Sequence, residues 1–227
     1  MDATTEIEVA LDGRGNTVVR RMQCEAPLLV RAVEAGGPTL HLAMVNGAAG
    51  PLGGDRLTFR LHVGAGASVD VRSVTAAMAQ PGPSGEPSTL TIDLVVDDDA
   101  TLHWSPQPMV SVIGSDHRTV MSLSATSTSV VTMREGISLG RHGEASGRLA
   151  MRQRVTIDAV AVLDHETVFA PGALSGPGAH GDGRTVTSAV HIGPDLPPPC
   201  STVTPSSVSA TFHLSPIGAL TTSSSSR

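Results

Sequence analysis

The stretch Val45–Thr75 reads VNGAAGPLGGDRLTFRLHVGAGASVDVRSVT, and its reading decides the fold. It opens on a turn dense in glycine, Gly47, Gly50, Gly53 and Gly54, interrupted by Pro51, and closes that turn on one acid, Asp55. Leu57, Phe59, Leu61 and Val63 then alternate with Thr58, Arg60 and His62, the period of two expected of a strand with one buried face. Gly64-Ala65-Gly66-Ala67 turns the chain, and Val69 and Val71 alternate with Ser68, Asp70 and Arg72. Strand, tight glycine turn, strand: nothing between them is long enough for a helix, so the unit points to a β architecture.

The same texture extends outward. Towards the N-terminus, Ile7, Val9 and Leu11 alternate with acids, Asp12–Asn16 makes a turn, and Leu40, Leu42 and Met44 share a phase after the break at Gly36-Gly37-Pro38. Pro27 argues against a helix across residues 23–33. Towards the C-terminus, QPGPSGEPS (80–88) is a surface loop, Leu90–Val96 alternates cleanly, and Asp97-Asp98-Asp99 reads as a solvated turn because its spacing is not that of a calcium loop. Residues 118–133 and 148–163 alternate for most of their length, 170–184 is the longest loop, and Val186–Ile192 and Val208–Leu214 are the last strands. Leu196-Pro-Pro-Pro-Cys200 reads as a rigid extended connector, and the tail over 221–227 is expected to fray. Roughly a dozen short strands without a long amphipathic helix predict an all-β chain with at most a few short helices. The expectation is one domain over 1–227, built as stacked sheets, β-helix-like or as a sandwich.

Composition narrows the function. The 227 residues include three Phe, one Trp and no Tyr, so the core must be built from Val, Leu, Ile, Ala and Met. Such a core buries less area per residue, which implies a modest stability margin and reliance on partner proteins. All fifteen cationic residues are arginine, the net charge is -6, and no Arg-dense run is present, which excludes nucleic acid as a partner. Cys24 and Cys200 form no C-x-x-C or larger framework, which favours a reducing, cytoplasmic setting. Glu6, Glu8 and Asp12 interrupt any secretory leader pattern, and no run approaches the ~18 apolar residues of a membrane span.

Candidate chemistry is sparse. G-x-S-x-G is missing, and Asp116-His117 and Asp164-His165 are adjacent residues that point to opposite faces of a strand, so both pairs are expected at the surface. The nine histidines make no H-x-x-x-H, which predicts no preformed metal site and no tightly bound cofactor. G-P-L-G-G-D matches neither phosphate-binding fingerprint, so its glycines read as turn residues. Asp55, just past Gly53-Gly54, reads either as a turn-capping carboxylate or as a transient cation ligand. Trp104 reads as a core residue whose N–H finds a partner. A hydrolase would need a nucleophile–base pair that the sequence does not offer, and a sugar-binding module would need more aromatics than three Phe and one Trp.

These residues also carry a resemblance. P-L-G-G-D-R-L at 51–57 followed by V-G-A-G-A at 63–67 resembles the G-G-D-x-L and v-g-x-G-A signature of the urease accessory protein UreD (UreH) family. L-H-W-S-P-Q-P at 102–108 is similar to the family's L-E-[YW]-x-P-[EQ]-x segment, and R-E-G-I-S-L-G-R at 134–141 to its acid-x-x-x-x-G-R segment. Order and spacing agree through residues 45–150. Three departures stand out: Thr75–Gln80 lacks the family's Lys and aromatic, His103 replaces a Glu, and Arg148 stands where a Glu usually follows the G-R segment.

The resemblance implies a non-enzymatic scaffold that binds the urease apoprotein and a UreF–UreG assembly, UreG being the GTPase that carries nickel. Ni²⁺ would pass transiently through an internal channel. Carried over residue by residue, Asp55 is the first candidate for transient metal contact, His103 the second, and Ser73 and Thr75 are channel-lining candidates. Gly53, Gly54, Trp104, Pro106, Glu135, Gly140 and Arg141 are the motif's structural positions. The alternative is an all-β module for a small ligand or a protein, unrelated to urease.

Overall fold

The computed structural model describes residues 1–34, 37–171 and 183–226, and every regular element among them is a strand. In chain order these are β1 (Asp2–Leu11), β2 (Thr17–Gln23), β3 (Leu28–Glu34), β4 (Thr39–Asn46), β5 (Arg56–Val63), β6 (Ser68–Ser73), β7 (Met78–Ala79), β8 (Ser88–Val96) and β9 (Thr101–Ser105). There follow β10 (Met109–Ser111), β11 (Asp116–Ala125), β12 (Val130–Leu139), β13 (Arg148–Ile157), β14 (Val160–Phe169), β15 (Thr185–Ile192), β16 (Cys200–Thr204), β17 (Ser207–Ser215) and β18 (Gly218–Ser225).

The strands make two sheets. The smaller has seven strands in the order β14-β13-β11-β8-β5-β1-β2. The larger runs β16-β17-β18-β15-β12-β9-β6-β4-β3, with the short β7 and β10 beside that path. From β4 to β13 the chain changes sheet at every long strand: β4, β6, β9 and β12 lie in one, β5, β8, β11 and β13 in the other. Strands that neighbour each other within a sheet are therefore one coil of chain apart, and they pair parallel without slips. The expected all-β fold is thus realised in its stacked, β-helix-like form.

The period of two turns this coil into a core. In the smaller sheet Phe59, Ile92 and Met121 stand in one row, and Leu61, Leu94, Leu123 and Val155 in the next. In the larger sheet Leu42, Val71, Trp104 and Met133 make the facing row. Phe59 and Trp104 meet edge to face across the interior, ring centroids 5.2 Å apart at 62°. Each fully buried aliphatic side chain here contributes about 1.5–3 kcal/mol, so the rows hold the two sheets together.

Three expectations are corrected in detail. Residues 118–133 and 148–163 each break into two strands, the first at the crossing between sheets and the second at a hairpin turn where Asp158 and Ala159 take φ of 49° and 62°. Positive φ at both central residues matches the twist of flanking strands, but no Asn-Gly or Gly-Gly announces it. The segment expected to fray is strand β18 as far as Ser225, and Cys200 at the end of the expected connector opens β16. The loop expected over 170–184 lies largely outside the described residues. No described helix is long and apolar enough to cross a membrane.

One interruption of the core positions everything that follows. A large apolar cluster contains Phe59, Trp104, Met121, Met133, Val155 and Val190, and a second, smaller one contains Ile137, Leu139, Leu149, Met151, Phe169 and Val186. Between them the core-facing phase turns polar, at Thr119 of β11, Glu135 of β12, Gln153 of β13 and Ser188 of β15.

Candidate functional site

The organising turn is built for close backbone approach. A Cβ on Gly53 would lie 2.5 Å from the backbone N of Gly82 and 2.7 Å from the carbonyl of Glu86, and Gly54 takes φ +89°. Only glycine fits either position without moving the 80–87 loop. Asp55 closes the turn: its Oδ2 accepts the Leu52 N–H at 2.9 Å, and its own N–H donates to the Leu52 carbonyl at 2.9 Å. Oδ1 lies 2.9 Å from the α-amino group of Met1, and the residue is 5% exposed. Asp55 therefore has the contacts of a turn-capping carboxylate.

A cavity of about 70 Å³ lies between the sheets, where β6 and β9 give way to the segments leading to β7 and β10. Ser73, Thr75, Trp104, Pro106 and Glu135, five of the residues singled out from the sequence, line it together. Asn46, Gln107 and Thr119 add polar groups, and Leu28, Leu90 and Ile92 add apolar ones. Ser73 Oγ accepts the Gln107 N–H at 2.7 Å, which fixes one rim. Trp104 Nε1 donates to Glu135 Oε1 at 2.5 Å, so the Trp motif and the Glu motif are joined by one bond. Burial pushes the Glu135 carboxyl up to about 7, the indole N–H acting in the opposite sense.

A hydrogen-bonded spur leaves the cavity through Thr119. Its Oγ1 is 3.1 Å from Nε2 of His117, whose Nδ1 is 2.8 Å from Oγ of Ser88. His117 is fully buried, against the expectation of a surface position, because it stands in phase with Thr119 and Met121. Burial lowers its pKa to about 4, so it is neutral near pH 7. Ser88 and His117 have the distance of a nucleophile–base pair, and both are 0% exposed. Deeper in, Ser188 Oγ donates to Gln153 Oε1 at 2.7 Å, while the amide nitrogen Nε2 of Gln153 has no partner among the described residues.

The remaining candidates lie elsewhere. His103 projects from the outer face of the larger sheet, 3.7 Å from Asp70 Oδ1, with His41 3.7 Å from Oδ2. Arg72 already holds both Asp70 oxygens at 3.0 and 2.8 Å and keeps that carboxyl charged below its ordinary range, although burial opposes this. Gly140, at φ +80°, and Arg141 belong to a loop closed by the Arg141–Glu144 pair and by Arg184 on backbone carbonyls. Arg148, the departure from the motif, pairs with Asp116 at 2.9 Å on the surface. Neither Asp55 nor His103 lines the cavity. Among the described residues no three His, Cys, Asp or Glu side chains are grouped as a metal site.

Sequence reasoning did not single out Asn46, Gln107, Thr119 or Gln153, and it weighed His117 only as half of a surface Asp-His pair. A signal existed for three of them: each is a polar residue on the apolar phase of its strand, Thr119 and His117 with Met121, Gln153 with Met151 and Val155. Asn46 and Gln107 sit at or beyond strand ends, where phase carries no information.

Fold and site thus define an all-β coil with a small polar-lined cavity between its sheets, around one half-buried acid and its indole donor. A model of the UreD urease accessory protein family matches residues 2–222. The chain is 38% identical to a urease accessory protein UreD of Streptomyces coelicolor over 73% of its own length and 65% of that protein's. It is 37% identical to one of Frankia casuarinae over 75% of its length and 57% of that relative's, and 34% identical to one of Streptomyces avermitilis over 86% and 78%. The chain belongs to the UreD urease accessory family.

Proposed function

We propose that this protein is a non-enzymatic scaffold for urease maturation, which binds apo-urease and a UreF–UreG assembly in the cytoplasm and lets Ni²⁺ pass through its interior as cargo. The supporting observation is the cavity shared by Ser73, Thr75, Thr119 and Glu135 inside a UreD-family coil. Its volume of about 70 Å³ holds a few waters and falls far below the ~300–1,000 Å³ of small-molecule sites. A divalent cation entering it sheds part of its water shell, and the lining hydroxyls and the Glu135 carboxylate replace those oxygens. One carboxylate without a completed set of ligands gives passage without retention. Asp55, whose carboxylate caps the turn, and His103, on the outer sheet face, would meet the cation only outside this cavity.

The test is genetic and biochemical. Urease from cells lacking this protein is expected to be nickel-poor, and the tagged protein to co-purify with urease subunits, UreF and UreG. Fully nickel-loaded urease in its absence defeats the reading.

A further inference from the structure

The two sheets are unequal. The smaller ends at β14, while the larger continues past β15 through β18, β17 and β16. Register fixes which way the extra side chains point. Val190 of the core pairs with Leu220, and Leu220 with Phe212; a few rungs on, Ser224 pairs with Val208, and Val208 with Val203. Phe212, Val208 and Val203 therefore continue the core-facing side of the larger sheet, yet they are 56%, 50% and 77% exposed. The opposite side of the same strands carries Thr202, Thr204, Ser207 and Ser209, so the apolar side chains gather on the inner side, with the hydroxyls of Ser201 and Thr222 among them. No Asp, Glu, Lys or Arg occurs between Leu196 and Ser226, in a chain of net charge -6. β16 thus lacks the charges that commonly guard an edge strand.

We infer that this ledge is a self-association face: a second copy lays its own ledge on it, apolar side to apolar side about a twofold axis. An isologous contact needs a patch complementary to itself, and an uncharged apolar ledge is one. It is also where two copies of an acidic protein approach without like-charge repulsion. Each copy then supplies the layer that the other's smaller sheet does not reach. β17 spans ~30 Å and β16 ~17 Å, each ~5 Å wide, so the ledge presents about 230 Å² per copy, against the ~800 Å² of a standard interface. The dimer is accordingly weak and reversible.

Sedimentation velocity of the full chain, from about 5 to about 500 μM, tests this in the range set by so small an interface. A reversible monomer–dimer equilibrium is expected, weakened at least ~10-fold by Phe212→Asp and by Val208→Asp, each checked for folding by circular dichroism, and unchanged by Val33→Asp, exposed on β3 at the opposite edge of the larger sheet. Amide exchange in β16 and β17 should slow as concentration rises. A monomer throughout, or a dimer indifferent to both ledge variants, overturns the inference. So does exchange that slows only when urease subunits are added, which would assign the ledge to that partner.

Discussion

Trp104 of β9 and Glu135 of the neighbouring β12 are joined by the indole N–H, donated to Oε1 at 2.5 Å beside the interior cavity. The bond ties a residue that is 0% exposed, packed on Phe59, to the one acid among the described residues that line that space. Trp104→Phe keeps the ring contact and removes the donor. It is expected to cost about 1–3 kcal/mol, the usual penalty for an enclosed acceptor left unmatched. Urea unfolding measures it; an unchanged midpoint would mean that the bond is idle.

Glu135 makes stability depend on pH. Its folded-state pKa of about 7 exceeds the ordinary 4.5, so the fold favours the protonated form. That stabilisation is full below 4.5 and is lost as pH rises through about 7. Glu135→Gln keeps an acceptor for Trp104 without the charge. In metal-free buffer it should unfold at a higher temperature than the parent at pH 8, by the equivalent of about 3 kcal/mol, and match it near pH 5. Parallel melting curves across that range would show that the carboxyl is not enclosed.

His117 acts with the opposite sign. Its pKa is lowered from 6.5 to about 4, so its contribution is complete above 6.5 and drains away as pH falls towards 4. The loss is about 3 kcal/mol by the ordinary conversion of such a shift. His117→Asn should flatten this acid limb in pH-dependent unfolding while leaving the Glu135 limb in place. A variant that keeps the acid limb would assign it to other groups.

The fold was legible because alternation and glycine turns carry it. Leu57 to Val63 names its own buried face, and the same phase repeats in β8, β11 and β13. The coil was not legible, since parallel pairing joins residues some thirty positions apart, such as Phe59 and Ile92, that share no local signal. The site was legible in part. The channel candidates Ser73 and Thr75 and the motif positions Trp104, Pro106 and Glu135 line one cavity. His117 was misplaced because a histidine next to an aspartate reads as polar surface until the phase of its strand is followed. Asp55 is where sequence alone left two roles open, and its contacts fill the turn-capping one.

Two glycine substitutions separate packing from mere flexibility. Gly53→Ala places a methyl within 2.5 Å of the Gly82 backbone and should cost about 1–3 kcal/mol or more, as overpacking does. Gly13→Ala meets nothing within 4 Å and needs no positive φ, so it should stay within about 0.5 kcal/mol of the parent. Equal effects in chemical denaturation would remove the packing explanation of the G-G-D turn.

The most direct measurement is the nickel content of urease purified from cells in which Glu135→Gln replaces the natural protein, with co-purification confirming that the maturation complex still forms. Passage through the cavity predicts an intact complex and urease depleted in nickel. Urease carrying its full complement of nickel from such an intact complex would contradict it.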